Sequence, residues 1–112
     1  ISIESNVNIH DVIEKTKDLA KAGFASHVRF LEEYDPSLPE IKGNFDQLTQ
    51  VFLNLLKNSS DAVSENGGFI KIKTSYQSGI KILSINNTMA STWSILNEYA
   101  IKSFRTLSCV NP

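Results

Sequence analysis

Thiol chemistry is nearly absent from this sequence, whose one cysteine is Cys109. A disulfide framework within the chain and a cysteine-rich zinc module are both excluded, and the usage suits a reducing compartment such as the cytoplasm. No apolar run approaches the ~20 residues that a membrane helix needs, and no basic-then-apolar leader opens the chain. Neither sign of charge dominates: eleven Lys and Arg stand against twelve Asp and Glu, for a net charge of −1. That balance excludes a strongly basic nucleic-acid binder and an acidic tail protein. What remains is 112 residues, 41% apolar and 21% charged, enough for one globular domain and too few for two. The chain opens on Ile1 and not on methionine, and the expectation is a fragment of a longer protein.

The opening Ser2-Ile3-Glu4-Ser5-Asn6-Val7-Asn8-Ile9 alternates loosely and reads as a short edge strand. Asn8 with Asp11 forms a capping pair for a helix from His10 to Ala22, with Val12, Ile13, Thr16, Leu19 and Ala20 on its apolar stripe. Gly23 follows as a helix stop. Val28, Phe30 and Tyr34 share a parity that predicts a strand over 27–34, closed by the prolines of Asp35-Pro36-Ser37-Leu38-Pro39. Asn44 with Gln47 starts the clearest element, a helix from Phe45 to about Ser64. Its core face is Leu48, Val51, Phe52, Leu55, Leu56, Ala62 and Val63, and Lys57 points nearly opposite. Beyond the turn Glu65-Asn66-Gly67-Gly68, residues 69–76 and 80–85 read as a β-hairpin around Gln77-Ser78-Gly79.

The composition then changes. The first 86 residues carry 20 charged side chains and the last 26 carry three. Trp93, Leu96, Ala100, Phe104 and Leu107 fit a weak amphipathic helix, so the tail from Asn87 is expected to be helical or loosely packed.

Gln47, Asn54, Asn58 and Asp61 form a polar row along one edge of the long helix's apolar face, expected to be partly buried. Amides at i and i+4 lie on one side of a helix and present oxygens to one region of space. A hard cation such as Mg²⁺ takes oxygen ligands, often one or two protein groups plus substrate phosphates. Asn58 suits that metal role and Asn54 suits donation to a phosphate oxygen; the competing reading is an ordinary helix boundary.

The stretch from Asp46 to Val63, DQLTQVFLNLLKNSSDAV, resembles the N box of the sensor histidine kinases. Val28-Arg29-Phe30, Tyr34-Asp35-Pro36-Ser37-Leu38-Pro39 and Thr74-Ser75-Tyr76-Gln77-Ser78-Gly79-Ile80 resemble the nitrogen-regulation (NtrB) type in particular. The resemblance covers residues 7 to about 85. It implies an α+β fold, the two-layer α/β sandwich of the Bergerat type, here incomplete. Residues 1–86 would be the N-terminal half of an ATP-binding domain, and 87–112 a divergent tail, truncated or out of frame. By the same resemblance Asn58 would be the Mg²⁺ ligand, Asn54 a phosphate contact and Asp61 part of the nucleotide lining. The implied reaction passes the γ-phosphoryl of ATP to a histidine on a neighbouring helical domain, then to a response regulator of the NtrC type. The full protein would be a cytoplasmic homodimer. Related hydrolases such as gyrase place a glutamate at the equivalent of position 54 as general base; an amide at Asn54 cannot take that proton, which favours phosphoryl transfer over hydrolysis.

The sequence departs from the family pattern downstream. All five glycines precede residue 80, and after Glu98 there is no acidic residue, so nothing matches the family's Asp-x-Gly-x-Gly box or its second Gly-rich loop. These absences keep two rival readings open, a non-catalytic interaction module and a gene remnant with an out-of-frame tail. The fragment alone is expected to be inactive. His10-Asp11 lacks the following proline of a phosphoacceptor segment, and His10 reads as a capping or surface histidine. Asn58-Ser59-Ser60 and Asn86-Asn87-Thr88 match a glycosylation pattern without a secretory leader. Lys71, Lys73 and Lys81 read as a solvated face.

Overall fold

A computed structural model describes residues 5–61, 68–76, 80–86, 90–95 and 101–106. Strand β1, Ser5–Val7, leads into helix α1, Ile9–Lys21. Asn8 is the N-cap: its Oδ1 accepts the His10 N–H at 2.9 Å, while the Asp11 N–H goes to the Asn8 carbonyl. Ile9, Val12, Ile13, Thr16 and Ala20 are buried, and the Thr16 hydroxyl donates to the Val12 carbonyl. Leu19, expected in the stripe, is 43% exposed. It lies about 80° from the centre of the buried face at 100° per residue, so it flanks the core without entering it. Gly23 does follow the helix, but no left-handed backbone is used there, and a Cβ would meet only the Leu19 carbonyl, at 3.7 Å. The end is closed instead by the Ala20 carbonyl, which accepts the N–H groups of both Gly23 and Ala25.

Strand β2, Val28–Glu33, is fastened to this helix end by Lys21, whose Nζ donates to the Val28 carbonyl at 2.8 Å. The following turn is held by Asp35, whose Oδ1 accepts both the N–H and the hydroxyl of Ser37. Strand β3, Ile41–Gly43, was not foreseen from the sequence. It pairs antiparallel with β1 in a separate two-stranded sheet, Val7 opposite Ile41.

Helix α2, Phe45–Asp61, begins as expected, with the Gln47 N–H donating to Asn44 Oδ1 at 2.9 Å. Phe52 and Leu56 are fully buried, and Phe45, Leu48, Leu53 and Leu55 pack partly against the core. Val51, assigned to the core face from its spacing, is instead 39% exposed. Thr49, Ser59 and Ser60 are buried in its stead, each hydroxyl donating to a carbonyl three or four residues back. Ala62, Val63 and the turn at 65–67 lie outside the described residues, as does the hairpin loop 77–79.

Strand β4, Gly68–Tyr76, runs parallel to β2 and antiparallel to β5, Ile80–Asn86, with Tyr76 opposite Ile80. The hairpin is therefore as the sequence indicated. The tail is not: Ala90–Ile95 and Ile101–Thr106 are strands β6 and β7, extending one sheet in the order β2-β4-β5-β6-β7. The residues read as a helical stripe are outweighed by β-branched ones. Thr92, Ile95, Ile101 and Thr106 suit a pleated ladder, and β5 offers a free edge to pair with. Leu96, Ala100, Leu107 and Cys109 lie outside the described residues.

The architecture is a two-layer α+β sandwich. Val28 of β2 and Ile70 and Ile72 of β4 form one core with the buried faces of α1 and α2. Between Ile13, Thr16, Phe52, Leu56 and Ile72 only a gap of about 10 Å³ remains, so the helix layer sits tightly on the sheet. The small sheet is also close to α2: a Cβ on Gly43 of β3 would come within 3.1 Å of Leu48 Cδ1.

Candidate functional site

The candidate residues stand on the outer face of α2. Gln47, Asn54, Asn58 and Asp61 are all exposed, with Gln50 and Val51 beside them. The row spans about 21 Å at 1.5 Å per residue. It does not run along the edge of the core as its spacing implied; with Val51 out of the core and Thr49, Ser59 and Ser60 in it, the row takes the middle of the solvent face. Lys57 is displaced in turn toward the segment after α1, its Nζ 5.6 Å from the centre of the Phe24 ring.

Three amides and a carboxylate on one open face make an oxygen-rich surface with no lysine or arginine among them. Asn54 Oδ1 accepts from Gln50 Nε2 at 3.4 Å. Asn58 follows one turn on, and neither amide is sealed under other side chains. Asp61 stands in the last described turn, where the helix dipole disfavours a carboxylate. The donor set suits a hard cation that also draws on phosphate oxygens. Among the described residues no cluster of three His, Cys, Asp or Glu could hold a metal by itself.

A second polar cluster, which the sequence did not reveal, joins α1 to the end of β2 and to β4. His10 is no free surface group. Its Nε2 shares a 2.9 Å hydrogen bond with the hydroxyl of buried Thr74, and its ring stacks on Tyr34 with centroids 4.6 Å apart. Thr74 Oγ1 also accepts the Asp35 N–H at 2.9 Å, so one hydroxyl ties the start of α1 to the turn after β2. Burial pulls the His10 imidazole below its ordinary pKa, against the charges of Asp11, Asp35 and Glu14. Tyr34 donates to Glu14 Oε2 at 2.7 Å, and burial together with that carboxylate raises the phenol well above its usual range. Buried Lys17 joins Glu14 and Glu32 in ion pairs. Burial would raise Glu14, but the Lys17 and Tyr34 hydrogen bonds and the Lys17 charge outweigh it and hold the carboxyl below its ordinary value. No local pattern brings these residues together, since His10, Tyr34 and Thr74 lie far apart in the chain. The cluster ties α1 to β2, to the turn that follows it and to β4.

On the sheet, Lys71 and Lys73 are not simply solvated, since both pair with Glu33, at 3.3 and 3.8 Å. Among the described residues no helix is long and apolar enough to cross a membrane.

No protein-family model matches the chain. Over 76 residues, 68% of the chain, it is 54% identical to the sensory histidine kinase/phosphatase NtrB of Azospirillum brasilense, covering 19% of that protein. To the NtrB of Rhizobium leguminosarum bv. phaseoli it is 51% identical over 77 residues, 68% of the chain and 20% of the relative. The chain thus spans about a fifth of the length of the curated relatives it matches. Among solved structures, a mycobacterial sensor histidine kinase, MprB, is similar with a TM-score of 0.63 at 16% identity, over 76% of this chain and 56% of that one. The histidine kinase ThkA in complex with the response regulator protein TrrA is similar with a TM-score of 0.58 at 23% identity, over 81% and 25%. At such identities these structures speak to the fold, which is that of a histidine kinase catalytic domain.

Proposed function

We propose a function on one premise: the chain belongs to the sensor histidine kinases of the nitrogen-regulation (NtrB) type, as a segment of their ATP-binding domain. The outer face of α2 is read as the part of that domain which meets Mg²⁺ and the phosphates of ATP. The observation that carries this is the open row of amides, which includes no lysine or arginine among the described residues. Asn58 offers its carbonyl oxygen to the metal, Asn54 an N–H to a phosphate oxygen, and Asp61 lines the nucleotide. Asn58 would hold Mg²⁺, which would supply positive charge to offset that of the phosphates. The chain's own share is positioning: α2 holds both amides at a fixed spacing on a rigid element whose other face is locked into the core.

Position 54 bears on the reaction class. An amide cannot deprotonate water as a carboxylate does, so the row supports transfer of the γ-phosphoryl to a protein side chain and not hydrolysis. In the full protein that acceptor is a histidine on a neighbouring helical domain of a homodimer. The next acceptor is an NtrC-type response regulator, and the setting is the cytoplasm. The complex of ThkA with a response regulator is in keeping with such a partner.

A second reading has its own support. Without the family's glycine boxes, backbone N–H groups cannot readily turn toward phosphates, which favours a non-catalytic module that keeps the sandwich. Titration of the 112-residue chain with ATP, with and without Mg²⁺, separates the two. The kinase-derived reading expects weak, Mg²⁺-dependent binding that perturbs Asn54 and Asn58 and is diminished several-fold by Asn58→Ala. Mg²⁺ dependence unchanged by that substitution reduces the row to an ordinary helix surface. Micromolar binding would mean that β6 and β7 complete a nucleotide site by other means.

A further inference from the structure

Strand β2 closes one edge of the five-stranded sheet. Val28 shows how its backbone is turned: its N–H goes to the Ala25 carbonyl and its own carbonyl accepts Lys21 Nζ, so both groups point away from β4. Backbone groups alternate along a strand, so those of Arg29, Leu31 and Glu33 serve the ladder with β4, and those of Phe30 and Glu32 face outward. Among the described residues nothing bonds to the outward groups of Phe30 and Glu32. Side chains alternate too. Val28 lies in the core beneath the helices, which puts Arg29, Leu31 and Glu33 on the open face of the sheet. There Leu31 is 38% exposed, and Arg29 has no ion-pair partner among the described residues. Glu33 meets Lys71 and Lys73 through Oε2 alone, so its Oε1 is open to another cation.

An unblocked edge is a template for a further strand, and the order of residues in β2 fits β2 itself. Laid antiparallel about Leu31, it sets Phe30 opposite Glu32 of a second copy, where their outward groups exchange both N–H···O bonds. The same register sets Arg29 opposite Glu33 on either side of the two-fold axis and Leu31 against Leu31 at its centre, all on the open face. A shift of one residue mismatches the bonding groups. A shift of two sets either Phe30 against Phe30, with Arg29 facing Leu31, or Glu32 against Glu32, like charge on like. We propose that β2 is a self-pairing edge through which two copies of the chain join over residues 29–33, merging their sheets into one. Val28, already bonded to Ala25 and Lys21, limits the contact at one end, and Pro36, without an N–H, limits it at the other. Self-pairing draws on the sheet alone and is independent of what α2 binds.

Charge reversal tests the register in the 112-residue chain, with circular dichroism confirming the fold of each variant. Sedimentation of wild type across about 0.02–2 mM should show a monomer–dimer equilibrium with a Kd of about 1 mM or below, weak as so short a contact warrants. Arg29→Glu sets acid against acid and Glu33→Arg base against base, twice in each dimer, so either variant alone should associate about tenfold more weakly. Mixed in equal amounts they should associate at least as well as wild type, because each then meets the opposite charge at both ends. In wild type with half the molecules isotopically labelled, filtered NOEs should join the Arg29 Hα of one copy to the Glu33 Hα of the other, whose Cα atoms would lie about 4.5 Å apart. A wild-type chain monomeric to about 2 mM overturns self-pairing, the charges then serving only to block the edge. So does a dimer indifferent to both reversals, which another surface must hold, or a mixture that associates no better than its components.

Discussion

Replacing Thr74 with valine isolates the hydroxyl that joins three elements. Thr74 is 3% exposed, and valine matches its shape, so the change removes polar contacts with little loss of packing. Two are lost: the Asp35 N–H and His10 Nε2 each face an apolar methyl where they had a partner at 2.9 Å. A part-buried group left unpaired costs about 1 kcal/mol, toward the low end of the range for buried ones, and the two together predict a loss of about 2 kcal/mol. Thr74→Ser keeps the hydroxyl and gives up one methyl, for about 1 kcal/mol. Urea unfolding at pH 7 reads both; with a slope of roughly 1.5 kcal/mol/M the valine variant should unfold about 1.3 M earlier. A cycle with His10→Ala should return a coupling of about 1 kcal/mol between His10 and Thr74. Valine tolerated to within about 0.5 kcal/mol, or serine as harmful as valine, would refute the claim that the hydroxyl ties α1 to the turn after β2.

The same cluster sets a pH dependence. His10 and Glu14 both have folded pKa values below their ordinary ones, so in each case the unfolded chain binds more protons. Stability should therefore fall as pH drops below about 6.5 and again below about 4.5, and urea midpoints across pH 3–8 should lose the upper step in His10→Ala. Ile72→Ala, at a site 1% exposed beneath both helices, should cost about 3–4 kcal/mol in the same assay, against no more than about 0.5 for Leu19→Ala. Gly43→Ala should lower stability by about 1 kcal/mol, since Leu48 must move off a 3.1 Å contact; recovery in a Gly43→Ala, Leu48→Val double variant would locate the clash.

How much of this could be read from the chain differs by element, for physical reasons. The starts of both helices were legible because Asn8 and Asn44 cap them locally, and the β4–β5 hairpin because its strands and loop adjoin in sequence. Strand β3 was not, because three residues make no pattern and their partner is β1, more than thirty residues away. The tail misled because five apolar residues at helical spacing masked its β-branched content. His10 looked idle because its partner Thr74 lies 64 residues on. The amide row was legible as a row but misplaced. Hydropathy counts Thr49, Ser59 and Ser60 as polar, whereas in a helix their hydroxyls are satisfied by backbone carbonyls and can be buried.

That correction bears on why the row is there at all. A helix face given over to solvent is normally stabilised by Ala, Glu, Lys and their i,i+4 ion pairs. Here the middle of the face carries Asn54 and Asn58, each about 0.5 kcal/mol worse than alanine in a helix interior, then Asp61 near the unfavourable end of the dipole. Nothing in the packing asks for them, since the core is built from the opposite side. The fold alone would tolerate lysine or glutamate at 54 and 58 and be steadier for it. Residues that weaken their own helix while contributing nothing to the core mark the place where a local rule is broken for a purpose. The function proposed for the row, an oxygen for Mg²⁺ from Asn58 and an N–H for phosphate from Asn54, would be such a purpose. Replacing Asn54 and Asn58 together with alanine should accordingly stabilise the chain by about 1 kcal/mol in urea while abolishing Mg²⁺-dependent ATP binding. If the double variant is less stable than wild type, the amides belong to the architecture and the functional argument from α2 fails.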